Sequence, residues 1–236
     1  MKKIMKRTVI GILVVILVMI VGLTVYSSTS YEALDEMHDE VSSIESTDVT
    51  RTEDNDEITF TVDNPLMQIV FIPGGLVEPD SYEYLAYMLA KNGFNVTIAK
   101  AFFNLAILTP NYAKRFLSEE LDNVIIGHSL GGVVASMVAS NNDLVDQVIL
   151  LGSYPIRDLT DKEVLIITAE HDLGMDQESF DDSLELVSED TIVFDIVGGN
   201  HAQFGWYGPQ KGDGEAEIDT LVQQGIVLQK ILEFIE

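Results

Sequence analysis

A serine stands at the centre of the segment Gly127–Gly131, which has the spacing Gly-x-Ser-x-Gly. The aliphatic residues 124–126 before it predict a short buried strand, and residues 131–140 after it predict a helix. A sharp turn between a strand and a helix holds a serine in strained backbone geometry, and the glycines let the two elements approach closely. Ser129 would then stand at a helix N-terminus, where free N–H groups favour a negative charge. This arrangement predicts nucleophilic attack by the serine hydroxyl.

Four segments make the chain resemble the α/β-hydrolase superfamily, and within it the group called alpha/beta hydrolase fold-5. They are Pro73–Val77, Phe103–Ala106, Gly127–Gly132 and Gly198–Gly205, of which the last is the most specific. The resemblance extends over roughly residues 32–236. It implies a mostly parallel sheet flanked by helices, with the nucleophile, the acid and the histidine in that order along the chain. A turn at 210–214 also matches the family, and its expected role is to support the loop of His201.

The base that would activate Ser129 is expected among four histidines. A serine hydroxyl is a poor nucleophile until an imidazole accepts its proton. His38 precedes the sheet, His128 lies inside the turn and is expected to point away from its neighbour, and His171 adjoins the expected acid. His201 follows the last predicted strand, in a glycine-rich loop that would turn its ring back toward the serine. It occupies the position that this fold gives to the catalytic histidine.

The third member of the triad is expected just after the predicted strand 164–168. The segment Ala169–Asp172 follows, and Asp172 matches the acid of the family, which usually lies in a Gly-x-x-Asp setting. Ala169 replaces that glycine, and Glu170 is the alternative acid. The same run suggests a metal site as a further alternative, but adjacent side chains rarely converge on one ion without other ligands. We therefore expect neither a metal nor another cofactor.

Two backbone N–H groups are needed to stabilise the oxyanion of a tetrahedral intermediate. The residue after the nucleophile, Leu130, would supply one of them. The loop Pro73–Leu76, which follows a buried strand, would supply the other from Gly75 or else from Leu76. Pro-Gly-Gly by itself is equally typical of a tight turn, and its place after the strand favours the catalytic role.

The substrate site is expected to be open, with a minimal lid or none. Only Pro155–Glu163 separates two strands at the place where lidded lipases usually carry a cap. The candidates for an apolar pocket wall are Phe102, Phe103, Leu105, Ile107 and Leu108 in the insertion 102–121, and Phe204, Trp206 and Tyr207 beside His201. The same side chains are equally compatible with the core. Of these we select Phe103, Leu105 and Trp206 as predicted substrate contacts.

From Ile58 onward, strands alternate with helices, which predicts one α/β domain over residues 58–236. The predicted strands are Ile58–Val62, Met67–Ile72, Asn95–Ala99, Asn123–Ile126, Gln147–Leu151, Val164–Thr168 and Ile192–Val197. The predicted helices are Ser81–Asn92 (capped by Asp80 and by Asn92-Gly93), Asn111–Glu120, Gly131–Ser140, Gln177–Val187 and Ala216–Ile235. Residues 31–57 form a linker, in which Tyr31–Ser46 has helical apolar spacing and Thr47–Glu57 is expected to be a solvated turn rather than a calcium loop.

Residues 1–30 predict a membrane segment. Four basic residues within the first seven positions precede the uncharged run Thr8–Tyr31. A helix over Thr8–Tyr26 would be about 28 Å long, close to the roughly 30 Å thickness of the hydrocarbon layer. Because basic residues favour the cytoplasmic side, we expect a single-pass anchor in the cell membrane with the catalytic domain outside. The alternative is a signal peptide cleaved at a poor site near Val25–Ser27, followed by secretion.

The charge of the chain excludes some partners. All 39 acidic residues lie beyond the predicted anchor, against nine of the 13 basic ones, so the exported part has a net charge near −30. Such a surface repels nucleic acid and anionic headgroups. The chain contains no cysteine, which excludes disulfides and a thiol nucleophile.

The sequence therefore predicts a serine hydrolase that cleaves an ester or related acyl bond of a small molecule through an acyl-enzyme. An acyltransferase, a thioesterase or an amidase would use the same triad, because the pocket alone decides among them. The alternative from another class is a catalytically silent hydrolase-fold protein that binds a ligand at the cell surface. The complete Ser, Asp and His set in the expected order argues against that alternative.

Overall fold

The computed structural model describes residues 2–44 and 46–235, with side chains from Met5 onward. The strands are β1 Thr50–Glu53, β2 Glu57–Thr61, β3 Gln68–Ile72, β4 Asn95–Ala99, β5 Asn123–His128, β6 Val145–Leu151, β7 Glu163–Ala169 and β8 Ile192–Ile196. The α-helices are α1 Lys2–Ser27, α2 Asp35–Ile44, α3 Glu83–Lys91, α4 Leu130–Ala139, α5 Gln177–Ser183 and α6 Thr220–Ile235. Met1, Glu45 and Glu236, which fall within predicted segments, lie outside the described residues.

The strands form one sheet in the order β1-β2-β4-β3-β5-β6-β7-β8. β2 is antiparallel to both of its neighbours, and β3 to β8 run parallel. β3 and β5 are buried along their whole length, because helices cover both faces of the sheet. Alternate residues of β3 therefore enter two apolar clusters, with Ile69 and Phe71 on one face and Val70 and Ile72 on the other. The predicted mostly parallel sheet with flanking helices is confirmed.

The predicted turn at Thr47–Glu57 was wrong over β1. All four residues of this strand are exposed, so no apolar alternation marks it in the sequence. It is held instead by antiparallel pairing with β2 and by an ion pair from Arg51 to the buried Glu83 on α3. The segment 31–57, predicted as a linker, thus contributes the edge strand of the sheet.

Three predicted helices differ in form, and one of them, Gln177–Val187, is α-helical only to Ser183 and continues as the 3-10 turn Leu184–Leu186. Asn111–Glu120 is a 3-10 helix over Pro110–Phe116, which ends where Leu117 takes extended backbone angles. Ser81–Asn92 begins with a 3-10 turn at Pro79–Tyr82 and becomes α-helical only in α3. Tyr82, and not the predicted Asp80, therefore precedes the first turn of α3, and no side chain caps it.

The N-terminal helix α1 carries an apolar stretch of 23 residues, Met5–Ser27, which fits a membrane anchor or a signal sequence. Beyond it the chain packs against the sheet domain. The N–H of Tyr31 donates to the carbonyl oxygen of Leu76 at 2.8 Å, and Met37 of α2 is fully buried.

The connection between β6 and β7, residues 152–162, contains no helix, in agreement with the predicted minimal lid.

Candidate active site

Ser129 lies in the turn between β5 and α4 with φ 52° and ψ −123°, which is strained backbone for a residue other than glycine. Its N–H donates to the carbonyl oxygen of Leu151 at 2.9 Å, and its own carbonyl accepts the hydroxyl of Ser153 at 2.8 Å. A β-carbon at Gly127 would overlap the carbonyl oxygen of Gly131, so the strand and the helix are closer than a side chain allows. The strained strand-to-helix turn that the motif predicts is present.

Asp172 and His201 follow β7 and β8, and they are bonded to each other. Nδ1 of His201 lies 2.7 Å from Oδ2 of Asp172, and their side chains are 5% and 1% exposed. The other carboxylate oxygen accepts the N–H groups of Gly174 at 2.8 Å and Met175 at 3.1 Å. Asp172 is thus fixed on both sides, and it holds the imidazole with a proton on Nδ1. Nε2 is then the nitrogen that can accept a proton.

Gly152, directly after β6, is the point on which these groups converge. It has φ 50°, and a β-carbon there would lie 3.0 Å from Nδ1 of His201 and 3.1 Å from Oδ2 of Asp172. The residue before it, Leu151, accepts the N–H of Ser129. The Ser129 hydroxyl makes no hydrogen bond within the described residues; catalytic hydrogen bonds commonly tighten only around substrate. Sequence reasoning missed Gly152, whose only signal was a glycine at the end of a buried strand.

The alternative acid and the alternative metal site are not assembled. Oε2 of Glu170 accepts the N–H of Gly198 at 2.9 Å, so this carboxylate supports the backbone of the His201 loop. The ring of His171 faces Glu217 instead, with Nε2 at 3.5 Å from Oε1. Across residues 2–44 and 46–235, no group of three or more His, Cys, Asp or Glu side chains is placed to hold a metal ion.

The two candidate oxyanion donors are adjacent. A β-carbon at Gly75 would lie 2.8 Å from Cδ2 of Leu130, so the oxyanion loop and the start of α4 are in contact. The N–H of Leu76 donates to the carbonyl oxygen of Asn104 at 2.8 Å and is therefore engaged. The N–H of Gly75 has no acceptor within the described chain, and that of Leu130 lies in the first turn of α4, where helical N–H groups lack partners. A cavity of about 160 Å³ opens beside Ser129 and this loop.

Tyr82 and His128 connect the loop Pro73–Leu76 to the turn of Ser129. The hydroxyl oxygen of Tyr82 accepts the N–H of Gly74 at 2.9 Å and lies 2.8 Å from Nδ1 of His128. Burial, and then the nearby ring of His201, lower the pKa of His128 well below its ordinary 6.5. His128 is therefore neutral, and one hydrogen bond joins its Nδ1 to the Tyr82 hydroxyl. No sequence pattern indicated this pair, whose members are 46 residues apart.

The loop of His201 is supported from two sides. Oδ2 of Asp213 accepts the N–H of Ala202 at 2.8 Å, and Nδ2 of Asn200 donates to the carbonyl oxygen of Gly214 at 2.8 Å. The side chain of Gln223 on α6 bonds both the N–H and the carbonyl of Asn200. The predicted supporting role of the turn at 210–214 is confirmed.

Most of the predicted pocket residues lie elsewhere. Trp206 is 8% exposed and packs edge-on against Tyr84, with ring centroids 5.2 Å apart, so it is a core residue. Phe103 and Leu105 are half-buried and do not line the cavity beside Ser129, and their contact with substrate stays a prediction. The three remaining candidates from the insertion 102–121 point outward: Phe102 is 72% exposed, Leu108 47% and Ile107 37%.

Comparisons with known proteins identify the family and the fold of the chain. The chain matches the model of the alpha/beta hydrolase family over residues 68–225. No curated protein matches the sequence. Solved structures with a similar fold include a dienelactone hydrolase from Anabaena variabilis, with 12% identity and a TM-score of 0.59 over 79% of this chain and 99% of that one.

Two further structures are similar. A ferulic acid esterase from Streptomyces cinnamoneus has 18% identity and a TM-score of 0.60 over 72% of this chain and 66% of that one. Alpha/beta hydrolase domain-containing protein 10 from mouse has 12% identity and a TM-score of 0.57 over 79% of this chain and 98% of that one. At these identities the similarity shows the fold, and the predicted α/β-hydrolase fold is confirmed.

Proposed function

The chain belongs to the alpha/beta hydrolase family, and from that premise we propose that it is a serine hydrolase that cleaves an ester or related acyl bond. The observation that carries the proposal is the 2.7 Å bond between His201 and Asp172, held beside the strained turn of Ser129 by contact at Gly152. The carboxyl ends of β3, β5, β6, β7 and β8 meet on one side of the molecule. The turn of Ser129, the imidazole of His201 and the two available N–H groups lie together at these strand ends.

The proposed mechanism uses each group at a stated atom. Nε2 of His201 takes the proton of Ser129 as Oγ attacks the acyl carbon, and the same proton then goes to the leaving group. Asp172 stabilises the imidazolium and keeps its orientation. The N–H groups of Leu130 and Gly75 bind the oxyanion, and one such donor commonly contributes about 10²-fold to 10³-fold in kcat. Water, activated by the same histidine, releases the acyl group.

Esters are the first choice among acyl compounds. Two structural neighbours are a dienelactone hydrolase and a ferulic acid esterase, and both names denote hydrolysis of an ester bond. The same triad also serves acyl transfer and cleavage of thioesters or amides. The open connection between β6 and β7 leaves room for a water nucleophile, which favours hydrolysis.

We further propose that α1 is retained as a membrane anchor, with its basic N-terminus in the cytoplasm and the domain outside. The support is the candidate membrane span Met5–Ser27 and the four basic residues that precede Thr8. Intact cells treated with protease should lose the domain but keep a short N-terminal fragment in the membrane. Recovery of the whole protein in the medium would instead indicate a cleaved signal.

A fluorophosphonate probe, followed by mass spectrometry of the modified peptide, tests the nucleophile. We expect an adduct on Ser129, none in Ser129→Ala, and slow labelling in His201→Ala. Ser140→Ala, at the other end of α4, is the matched control and should label like the unmodified chain. A folded protein that gives no adduct would contradict the proposal and favour the silent binding protein.

A further inference from the structure

The segment that follows α1 is part of the wall of the active site. Tyr31 pairs with the oxyanion loop in both directions: its N–H donates to Leu76 at 2.8 Å, and its carbonyl accepts the N–H of Glu78 at 2.9 Å. It also forms a parallel bridge with Val77. The loop expected to carry the oxyanion donor is therefore bonded to the chain only a few residues beyond the membrane segment.

Side chains strengthen this connection. Tyr31 lines the 160 Å³ cavity beside Ser129, and its hydroxyl accepts the N–H of Lys211, another residue of the cavity wall, at 3.1 Å. The hydroxyl of Ser30 accepts a hydrogen bond from Nδ2 of Asn104 at 3.0 Å. The carbonyl oxygen of Asn104 in turn accepts the N–H of Leu76. The end of the anchor and the mouth of the site are thus one hydrogen-bonded unit.

The length of chain between them is short. α1 ends at Ser27, four residues before Tyr31, and four extended residues reach at most about 14 Å. The real distance is shorter, because Thr29 and Ser30 turn back onto the helix with hydrogen bonds to Tyr26 and Ser27. The polar layer on each side of a bilayer is about 5–8 Å thick. A domain tied so closely to a spanning helix holds this cavity at the lipid–water interface.

Exposed apolar side chains occur on the same side. α1 contacts the 3-10 turn Phe102–Asn104, and the segment that follows carries the outward-facing Ile107 and Leu108. Phe102 is 72% exposed and Leu108 47%. Contact of these apolar side chains with water is unfavourable, whereas contact with a bilayer is favourable. We name Phe102, Ile107 and Leu108 the apolar rim.

We propose that the apolar rim rests in the outer surface of the bilayer and that the substrate is an acyl ester drawn from the membrane. This inference rests on the proposed serine hydrolase function and on retention of α1. The negative charge of the exported part, near −30, repels anionic headgroups and so selects a neutral or zwitterionic acyl lipid or amphiphile.

The test compares two substrates of the full chain in phosphatidylcholine vesicles: a water-soluble short-chain nitrophenyl ester and a long-chain ester that partitions into the bilayer. The double variant Phe102→Asp, Leu108→Asp should lose about tenfold or more in kcat/KM on the long-chain ester, with less than a twofold change on the soluble one. Leu144→Asp is the matched control, because Leu144 is 42% exposed and precedes β6 at the opposite edge of the sheet.

Equal losses on both substrates, or no loss on either, would overturn the inference. Failure of the underlying serine hydrolase proposal is distinguishable, because the unmodified chain would then cleave neither ester and give no fluorophosphonate adduct.

A second measurement is independent of activity. The chain has no cysteine, so Leu108→Cys and Leu144→Cys each give one site for a fluorescent label. Vesicles with quencher-bearing lipids should quench the label at 108 strongly and the label at 144 little. Equal quenching at the two positions would refute the placement of the rim in the bilayer.

Discussion

Gly152→Ala tests whether the triad is assembled as described. The added β-carbon would lie 3.0 Å from Nδ1 of His201 and 3.1 Å from Oδ2 of Asp172, and both distances are a few tenths of an ångström shorter than ordinary contact. A misplacement of about 1 Å costs roughly 10²-fold in rate, so this displacement of a few tenths of an ångström should lower kcat by about fivefold to tenfold. KM should change little, because neither displaced atom is expected to touch substrate.

The same substitution has a separate backbone cost. Gly152 has φ 50°, and alanine in the left-handed region costs about 1–2 kcal/mol. Urea unfolding should show that loss, and steady-state hydrolysis of a nitrophenyl ester gives kcat. Gly93→Ala is the matched control: Gly93 follows α3 with φ 95°, and the nearest atom to its β-carbon, on Leu66, is 3.4 Å away.

The control should lose stability without loss of kcat. If Gly152→Ala kept kcat within twofold of the unmodified chain, the convergence of Asp172 and His201 on this glycine would be refuted. If Gly93→Ala lost kcat to the same extent, the effect would belong to general stability and not to the triad.

Three further predictions concern stability. Tyr82→Phe leaves the N–H of Gly74 and Nδ1 of His128 buried without a partner, so the free energy of unfolding should fall by about 2 kcal/mol in urea titration. Folding lowers the pKa of His128 below 6.5, so in acid the unfolded chain binds more protons than the folded one. The free energy of unfolding should therefore decrease as the pH falls below about 6.5. This decrease should be steeper than in His128→Asn by up to about 1.4 kcal/mol per pH unit. Arg51→Met strands the buried carboxylate of Glu83 and should cost about 1–3 kcal/mol, because Arg51 is partly exposed and the pair is not fully desolvated.

Each of these has its own control. For Tyr82, the exposed Tyr26→Phe should leave stability unchanged, and a Tyr82→Phe chain as stable as the unmodified one would contradict the role of its hydroxyl. For His128, His38→Asn on the exposed side of α2 should retain the full acid slope, and an equal slope in His128→Asn would refute the assignment. For Arg51, adding Glu83→Gln should restore part of the loss, and no restoration would count against the buried pair.

The site was readable from sequence where its parts are local or follow from chain order. The turn of Ser129 is encoded within a few residues. Asp172 and His201 were predicted from the order of the strands and, for Asp172, from the family resemblance; parallel strands bring the loops after successive strands together at their carboxyl ends. The continuous apolar runs of β3 and β5 predicted buried strands, and both strands are buried along their whole length.

The rest depends on contacts between residues distant in sequence. β1 is exposed along its length and is held by pairing with β2 and by the ion pair of Arg51 with Glu83, 32 residues away. Tyr82 looks like one aromatic residue near a helix start, and nothing in the sequence connects it with His128. Trp206 sits beside His201 in sequence, yet the chain turns it toward α2 and α3. Closeness to His201 in sequence therefore did not predict which side chains line the pocket.

Rapid acid quenching of the reaction with a nitrophenyl ester tests whether Ser129 forms a covalent acyl-enzyme. Mass spectrometry of the quenched protein should show one added acyl group, located on the peptide that contains Ser129, at a level that falls as substrate is exhausted. An acyl group on another residue such as Ser153, or turnover that persists in Ser129→Ala, would show that Ser129 is not the nucleophile.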